Sequence, residues 1–179
     1  MLLESALVVL VPAAESVVAS FRRQHDPAAA LGVPAHVTTL YPFRPPDTLT
    51  DADFARLRDL FLSVPAFTVV FARTARFPGV LYLAPEPAAP LRQLTELVLA
   101  HFPGLRPYGG AHAEIIPHLT IAQVADPALL NQIAADFHQA ASPQLPLQVS
   151  VAAVALIDNT RGSWQVSREF ALGRPGRAA

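Results

Sequence analysis

The chain has 179 residues, 52% hydrophobic and 15% charged, with a formal net charge of −1 and no cysteine. That suits one compact domain, or two small lobes sharing a core, and excludes a disordered chain, a disulfide scaffold, thiolate metal sites and cysteine nucleophiles. The charge balance excludes a broad basic face for polyanions, and because every basic residue is arginine, Schiff-base lysine chemistry and lysine-dependent phosphate loops are excluded too.

Residues 3–11 form a continuous apolar run suited to a central strand. Glu4 precedes most of it and no basic residue does, which is the wrong sign for a secretory leader, and no run approaches the ~18 residues of a membrane span. A cytoplasmic protein with no membrane contact is therefore expected. Pro12 opens a helix to about residue 24 with Val17, Val18 and Phe21 on its apolar face. A loop over residues 25–35 follows, then a strand over 36–41 and a turn. Thr50 caps the next helix, TDADFARLRDLFL, whose first-turn acids and later arginines agree with the helix dipole.

Residues 67–77 and 80–84 read as strands joined by Pro78-Gly79, and residues 87–101 as an amphipathic helix through Leu91, Leu94, Leu97 and Val98. Residues 102–117 read as a loop, followed by a strand that begins at His118. Asp126 and Pro127 start another helix. Residues 145–157 and 164–172 close the chain as a hairpin, and 173–179 read as a disordered tail. The expected domain is thus one bilobed unit over residues 1–172.

Two segments in this series match. PAHVTTLYPF and PHLTIAQV each place a histidine two residues before a threonine at the start of a strand, after a proline. Each is followed by a capped helix and a hairpin, and the copies stand about half a chain apart, as a diverged internal duplication would leave them. Residues i and i+2 of a strand share a face, so His36 projects with Thr38 and His118 with Thr120. A single such histidine is ordinarily a satisfied core residue. Two, facing each other across a cleft, make an acid–base pair for phosphodiester chemistry: one imidazole takes a proton, the other gives one, and the hydroxyls donate to the non-bridging oxygens. As zinc ligands the pair is poor, since no carboxylate stands at ligand spacing, although Glu114 and Asp126 are near the second motif in sequence.

Around this pair, Tyr41, Tyr82 and Tyr108 are candidates for stacking on a base, with core or loop packing as the alternative. Phe43 reads as core. Arg44, Arg73 and Arg76 are candidates for phosphate contacts, against the ordinary reading of exposed arginines. His25, His101 and His138 sit near helix ends, and His112 lies in the loop before the second motif. Gly109-Gly110 reads as a loop over the cleft mouth or as a simple turn.

HVTTLYPF and HLTIAQV resemble the paired H-x-T motifs of the two-histidine phosphoesterase superfamily, in its bacterial 2′-5′ RNA ligase and 2′,3′-cyclic phosphodiesterase branch. The resemblance runs from SALVVLVP through ARFPGVLYLAPEP to the hairpin at Trp164. It implies an α+β fold of two pseudo-symmetric αβ lobes, with largely antiparallel sheets facing each other across a central cleft and helices outside. It implies His36 and His118 as the acid–base pair and Thr38 and Thr120 as phosphate-holding hydroxyls; within the pair, His118 is favoured as base and His36 as acid. No metal and no cofactor are implied. The expected partners are RNA ends bearing a 2′,3′-cyclic phosphate, or small cyclic nucleotides, opened generally to the 2′-phosphate by a monomer, with ATP-independent 2′-5′ ligation, in which a ribose hydroxyl attacks the cyclic phosphate, as a further activity. The alternative is a non-catalytic nucleotide- or RNA-end-binding protein that keeps the cleft. Thr39 departs from the pattern, since an aliphatic residue is usual there.

Overall fold

The computed structural model describes residues 2–110 and 114–174. His112 and residues 175–179 lie outside them. Eight strands form two four-stranded sheets, antiparallel throughout. The first contains β1 (Ser5–Leu10), β2 (His36–Leu40), β7 (Ala153–Asp158) and β8 (Gln165–Ala171), in the order β2-β1-β7-β8. The second contains β3 (Phe67–Phe77), β4 (Val80–Glu86), β5 (Leu119–Gln123) and β6 (Leu147–Val151), in the order β5-β4-β3-β6.

The two H-x-T segments take equivalent places. In each sheet the motif strand is an edge strand, hydrogen-bonded to the strand that precedes it across a helical connection: β1 to β2 by way of α1 (Glu15–His25) and α2 (Pro27–Ala30), and β4 to β5 by way of α4 (Ala89–His101). The connecting helices cross over. Helix α1 leaves the first sheet to pack against β5, and α4 leaves the second to pack against β2, while β2 and β5 touch each other. Helices α3 (Asp51–Leu62) and α5 (Pro127–Ala141) pack on β8 and on β4 and β5 respectively.

One continuous apolar core joins the sheets, with Phe61, Phe71, Phe102 and Phe137 fully buried in it. The alternation of β1 explains how the first sheet serves two environments. Leu7 and Val9 enter this shared core, whereas Ala6 and Val8 belong to a smaller cluster on the opposite face with Ala155, Ile157, Tyr41 and Trp164.

The structure departs from the sequence reading in four places. The loop expected over residues 25–35 contains α2, whose first amide, at Ala28, is bonded to the Asp26 carboxylate at 3.0 Å; Asp26-Pro27 is the same start signal that opens α5 at Asp126-Pro127. A single turn over Pro107–Gly110 interrupts the second expected loop. The continuous strand expected over 145–157 is two strands in different sheets. The chain crosses at Ala152, whose carbonyl accepts the Leu172 amide at 2.8 Å. The tail does not begin at Gly173, because that residue donates to the Val64 carbonyl at 2.8 Å and accepts from the Ala66 amide at 2.9 Å.

Candidate active site

Both motifs show the same alternation of burial. Ala35, Val37, Pro117 and Leu119 are buried, while His36, Thr38, His118 and Thr120 are half-buried. The strands thus bury one row of side chains in the core and turn each His–Thr row towards the space between the sheets. Thr38, His118 and Thr120 line one cleft of about 640 Å³ together with Tyr41 and Tyr108. His36, half-buried on the same strand face as Thr38, is close enough to feel the charge of His118.

The two rings are held alike. The Nδ1–H of His36 donates to the Pro34 carbonyl at 2.7 Å, and the Nδ1–H of His118 donates to the Ile116 carbonyl at 2.8 Å. A carbonyl only accepts, so each bond places a proton on Nδ1 and makes Nε2 the nitrogen that exchanges protons with a reactant. Both acceptors lie two residues before the histidine, at the bend where the chain enters the strand.

The surroundings of the rings differ. His118 is packed edge-on by Phe77, with ring centroids 5.1 Å apart, and by Tyr82 at 5.5 Å; Phe77 and Tyr82 are themselves stacked at 4.5 Å. His36 lies near a buried ion pair on α1, in which Arg22 Nε donates to Asp26 at 2.9 Å and Arg22 Nη2 to the Val33 carbonyl at 3.0 Å. Burial lowers the pKa of His36 to about 4; the Pro34 hydrogen bond and the Asp26 charge act against it, and the charges of Arg22 and His118 add to it. The ring is neutral at pH 7.

Of the three tyrosines, Tyr41 and Tyr108 line the cleft. Tyr41 packs edge-to-face with Tyr108 and Trp164, at centroid distances of 6.4 and 6.1 Å, and its hydroxyl donates to Glu4 at 3.1 Å. Tyr82 is buried, 6% exposed, so its ring supports His118 and presents no open face to a base. The three arginines are engaged elsewhere. Arg44 pairs with Asp53 at 2.7 Å and lies over Phe102, Arg73 pairs with Glu86 at 2.6 Å across β3 and β4, and Arg76 donates to Asn131 on α5. None of the three lines the cleft.

Thr95, Phe77 and Glu114 line it as well. Thr95 on α4 donates to the Thr39 carbonyl at 2.7 Å and so satisfies a backbone acceptor of the β2 edge. Thr39 is buried, 4% exposed, where the departure from an aliphatic residue affects packing. These residues carry no motif, and only the tertiary arrangement brings them to the site. Arg22 did have a signal, since it stands four residues after Val18 on the apolar face of α1, where an arginine needs a buried partner. Among the described residues no three His, Asp or Glu side chains come together as metal ligands, and no helix is long and apolar enough to cross a membrane.

Two H-x-T edge strands, one from each of two antiparallel sheets, with their rings anchored alike, are the arrangement of the two-histidine phosphoesterase superfamily. The family model described as the 2′-5′ RNA ligase superfamily matches residues 10–163, and the chain belongs to that family. Among solved structures, E. coli LigT complexed with 3′-AMP is similar at 16% identity and a TM-score of 0.59, over 94% of this chain and 97% of that one. TT0787 of Thermus thermophilus is similar at 20% identity and a TM-score of 0.61, over 97% of this chain and 100% of that one. E. coli LigT complexed with ATP is similar at 18% identity and a TM-score of 0.58, over 96% and 98%. At these identities the likeness is one of fold. No curated protein sequence matches the chain.

Proposed function

We propose that the protein opens 2′,3′-cyclic phosphates, on RNA ends or small nucleotides, to 2′-phosphates without a metal ion, and that 2′-5′ ligation without ATP is the same ring opening with a ribose hydroxyl attacking phosphorus in place of water. The observation that carries this reading is the matched anchoring of His36 and His118, each left with Nε2 as its proton-exchanging nitrogen, while Thr38, His118 and Thr120 line one cleft. The nucleotide complexes of LigT lend support from a protein of the same fold.

In the proposed reaction a water oxygen attacks phosphorus and loses its proton to one imidazole. The bond from phosphorus to O3′ breaks, and the second imidazole gives O3′ a proton. Thr38 and Thr120 donate to the non-bridging oxygens as negative charge builds there. The sequence reading favours His118 as the base. The electrostatics of His36 support the opposite assignment, because a ring that is neutral at pH 7 is ready to accept a proton and holds almost none to give. His36 is therefore the proposed base and His118 the acid. Tyr41 is retained as the base-stacking candidate, while Arg44, Arg73 and Arg76 are withdrawn as phosphate contacts because their guanidinium groups are bound elsewhere.

The test offers a 2′,3′-cyclic mononucleotide, in EDTA, to the wild type and to His36→Ala and His118→Ala. Each substitution is expected to lower the rate about 10²–10⁴-fold. Binding without turnover by the wild type would instead establish a nucleotide-binding protein, and a requirement for added metal would refute the mechanism.

A further inference from the structure

The turn Pro107–Gly110 lies between α4 and β5 and so belongs to the second H-x-T unit, yet it reaches across to the first. The Tyr108 amide donates to the Tyr41 carbonyl at 2.6 Å, just past the end of β2, and the phenol is hydrogen-bonded to the Thr38 hydroxyl. The backbone there is unusual. Tyr108 has φ 51° and ψ 35°, and is the only non-glycine residue with positive φ among those described.

A left-handed conformation is strained for a residue with a Cβ, and it persists where the surroundings fix it. Gly109 and Gly110 follow with φ 65° and 88°, where glycine has no Cβ to oppose it. A glycine at position 108 would let this turn form without strain. The tyrosine instead brings a hydroxyl to the cleft face of β2. Burial raises the pKa of that phenol above its usual value, more than the Thr38 hydrogen bond lowers it, so the group keeps its proton at neutral pH and serves as a donor.

We propose that Tyr108 contacts the substrate directly, its hydroxyl joining that of Thr38 as a donor to a non-bridging oxygen of the phosphate bound between the two H-x-T strands. The contact deepens the phosphodiesterase reading and rests on it. The Tyr108 and Thr38 hydroxyls stand together at the cleft, where one phosphate oxygen would take both as donors. The two donors thereby come from both units, one on β2 and one on the turn before β5. Preorganised donors of this kind act most where charge develops in the transition state, so the hydroxyl contributes chiefly to kcat.

Tyr108→Phe removes the hydroxyl and keeps the ring and the amide bond to Tyr41, and Tyr108→Gly removes the ring as well as the strain. For both variants and the wild type, kcat and KM are measured with a 2′,3′-cyclic mononucleotide, Kd for inorganic phosphate by calorimetry, and Tm as the check on folding. The inference requires Tyr108→Phe to lower kcat at least ~10-fold, by analogy with a lost oxyanion donor, and to weaken phosphate binding while Tm is maintained. Wild-type kcat and phosphate affinity in Tyr108→Phe would overturn it, most clearly if Tyr108→Gly were impaired, since the ring alone would then be at work. If the wild type binds phosphate but opens no cyclic phosphate, the phosphodiesterase reading fails and the phosphate affinities of the variants still decide the contact at Tyr108.

Discussion

His36 and His118 are alike in the backbone that anchors them and unlike in what surrounds their rings, and this difference has a kinetic consequence. In kcat/KM a general base must be unprotonated in the free enzyme. With the pKa of His36 lowered by burial to about 4, the base is available from neutrality down to that region and is lost as the ring takes a proton below it. The acid limb of kcat/KM is therefore expected near pH 4, and a limb near 6.5, the ordinary value of histidine, would contradict His36 as base. The Arg22–Asp26 pair opposes itself at this ring, since the guanidinium lowers the His36 pKa and the carboxylate raises it. Both charges are buried, with side chains 3% and 2% exposed. Removing either partner would leave the other uncompensated, so Asp26→Ala is expected to lower stability by about 3–5 kcal/mol, read from urea or thermal unfolding.

At the scale of elements, the site depends on two short edge strands, each hydrogen-bonded to a single neighbouring strand. An edge leaves backbone groups that need partners, and α4 supplies one to β2 through Thr95. Thr95→Val keeps the shape and removes the donor, leaving the Thr39 carbonyl buried without that partner. A loss of about 1–3 kcal/mol is expected in chemical unfolding, with a lowered kcat because Thr38 is the next residue along. An unchanged Tm and kcat would show that β2 is fixed by packing alone. Much of this level is visible in sequence. The H-x-T spacing, the Pro78-Gly79 hairpin and the Thr50 and Asp126 caps are local signals, and the structure realises each at the stated residues. The crossing at Ala152 is not local: Leu147 to Asp158 stays extended on both sides of it, and only pairing with β3 and then with β1 shows that the sheet has changed. The arginines escape a sequence reading for a related reason. Arg44, Arg73 and Arg76 meet partners 9, 13 and 55 residues away, and sequence spacing does not reveal such pairings outside a helix.

At the scale of the whole molecule the two sheets share one main core, and Gly173 is stitched into the middle of the chain. Gly173 runs beside Pro65, and a Cβ on it would stand 2.5 Å from the Leu62 carbonyl oxygen. Gly173→Ala forces backbone against backbone and is expected to cost about 1–3 kcal/mol in thermal unfolding. The reading of the molecule as a catalyst depends on its two halves acting on one phosphorus, and the most direct measurement compares single and double substitutions. The opening of a 2′,3′-cyclic mononucleotide is followed for His36→Ala, His118→Ala and the protein carrying both. Groups that act in a single step are strongly non-additive, so the double variant is expected to be little slower than the worse single variant. A double loss equal to the product of the two single losses, or full activity in either single variant, would contradict a shared phosphorus.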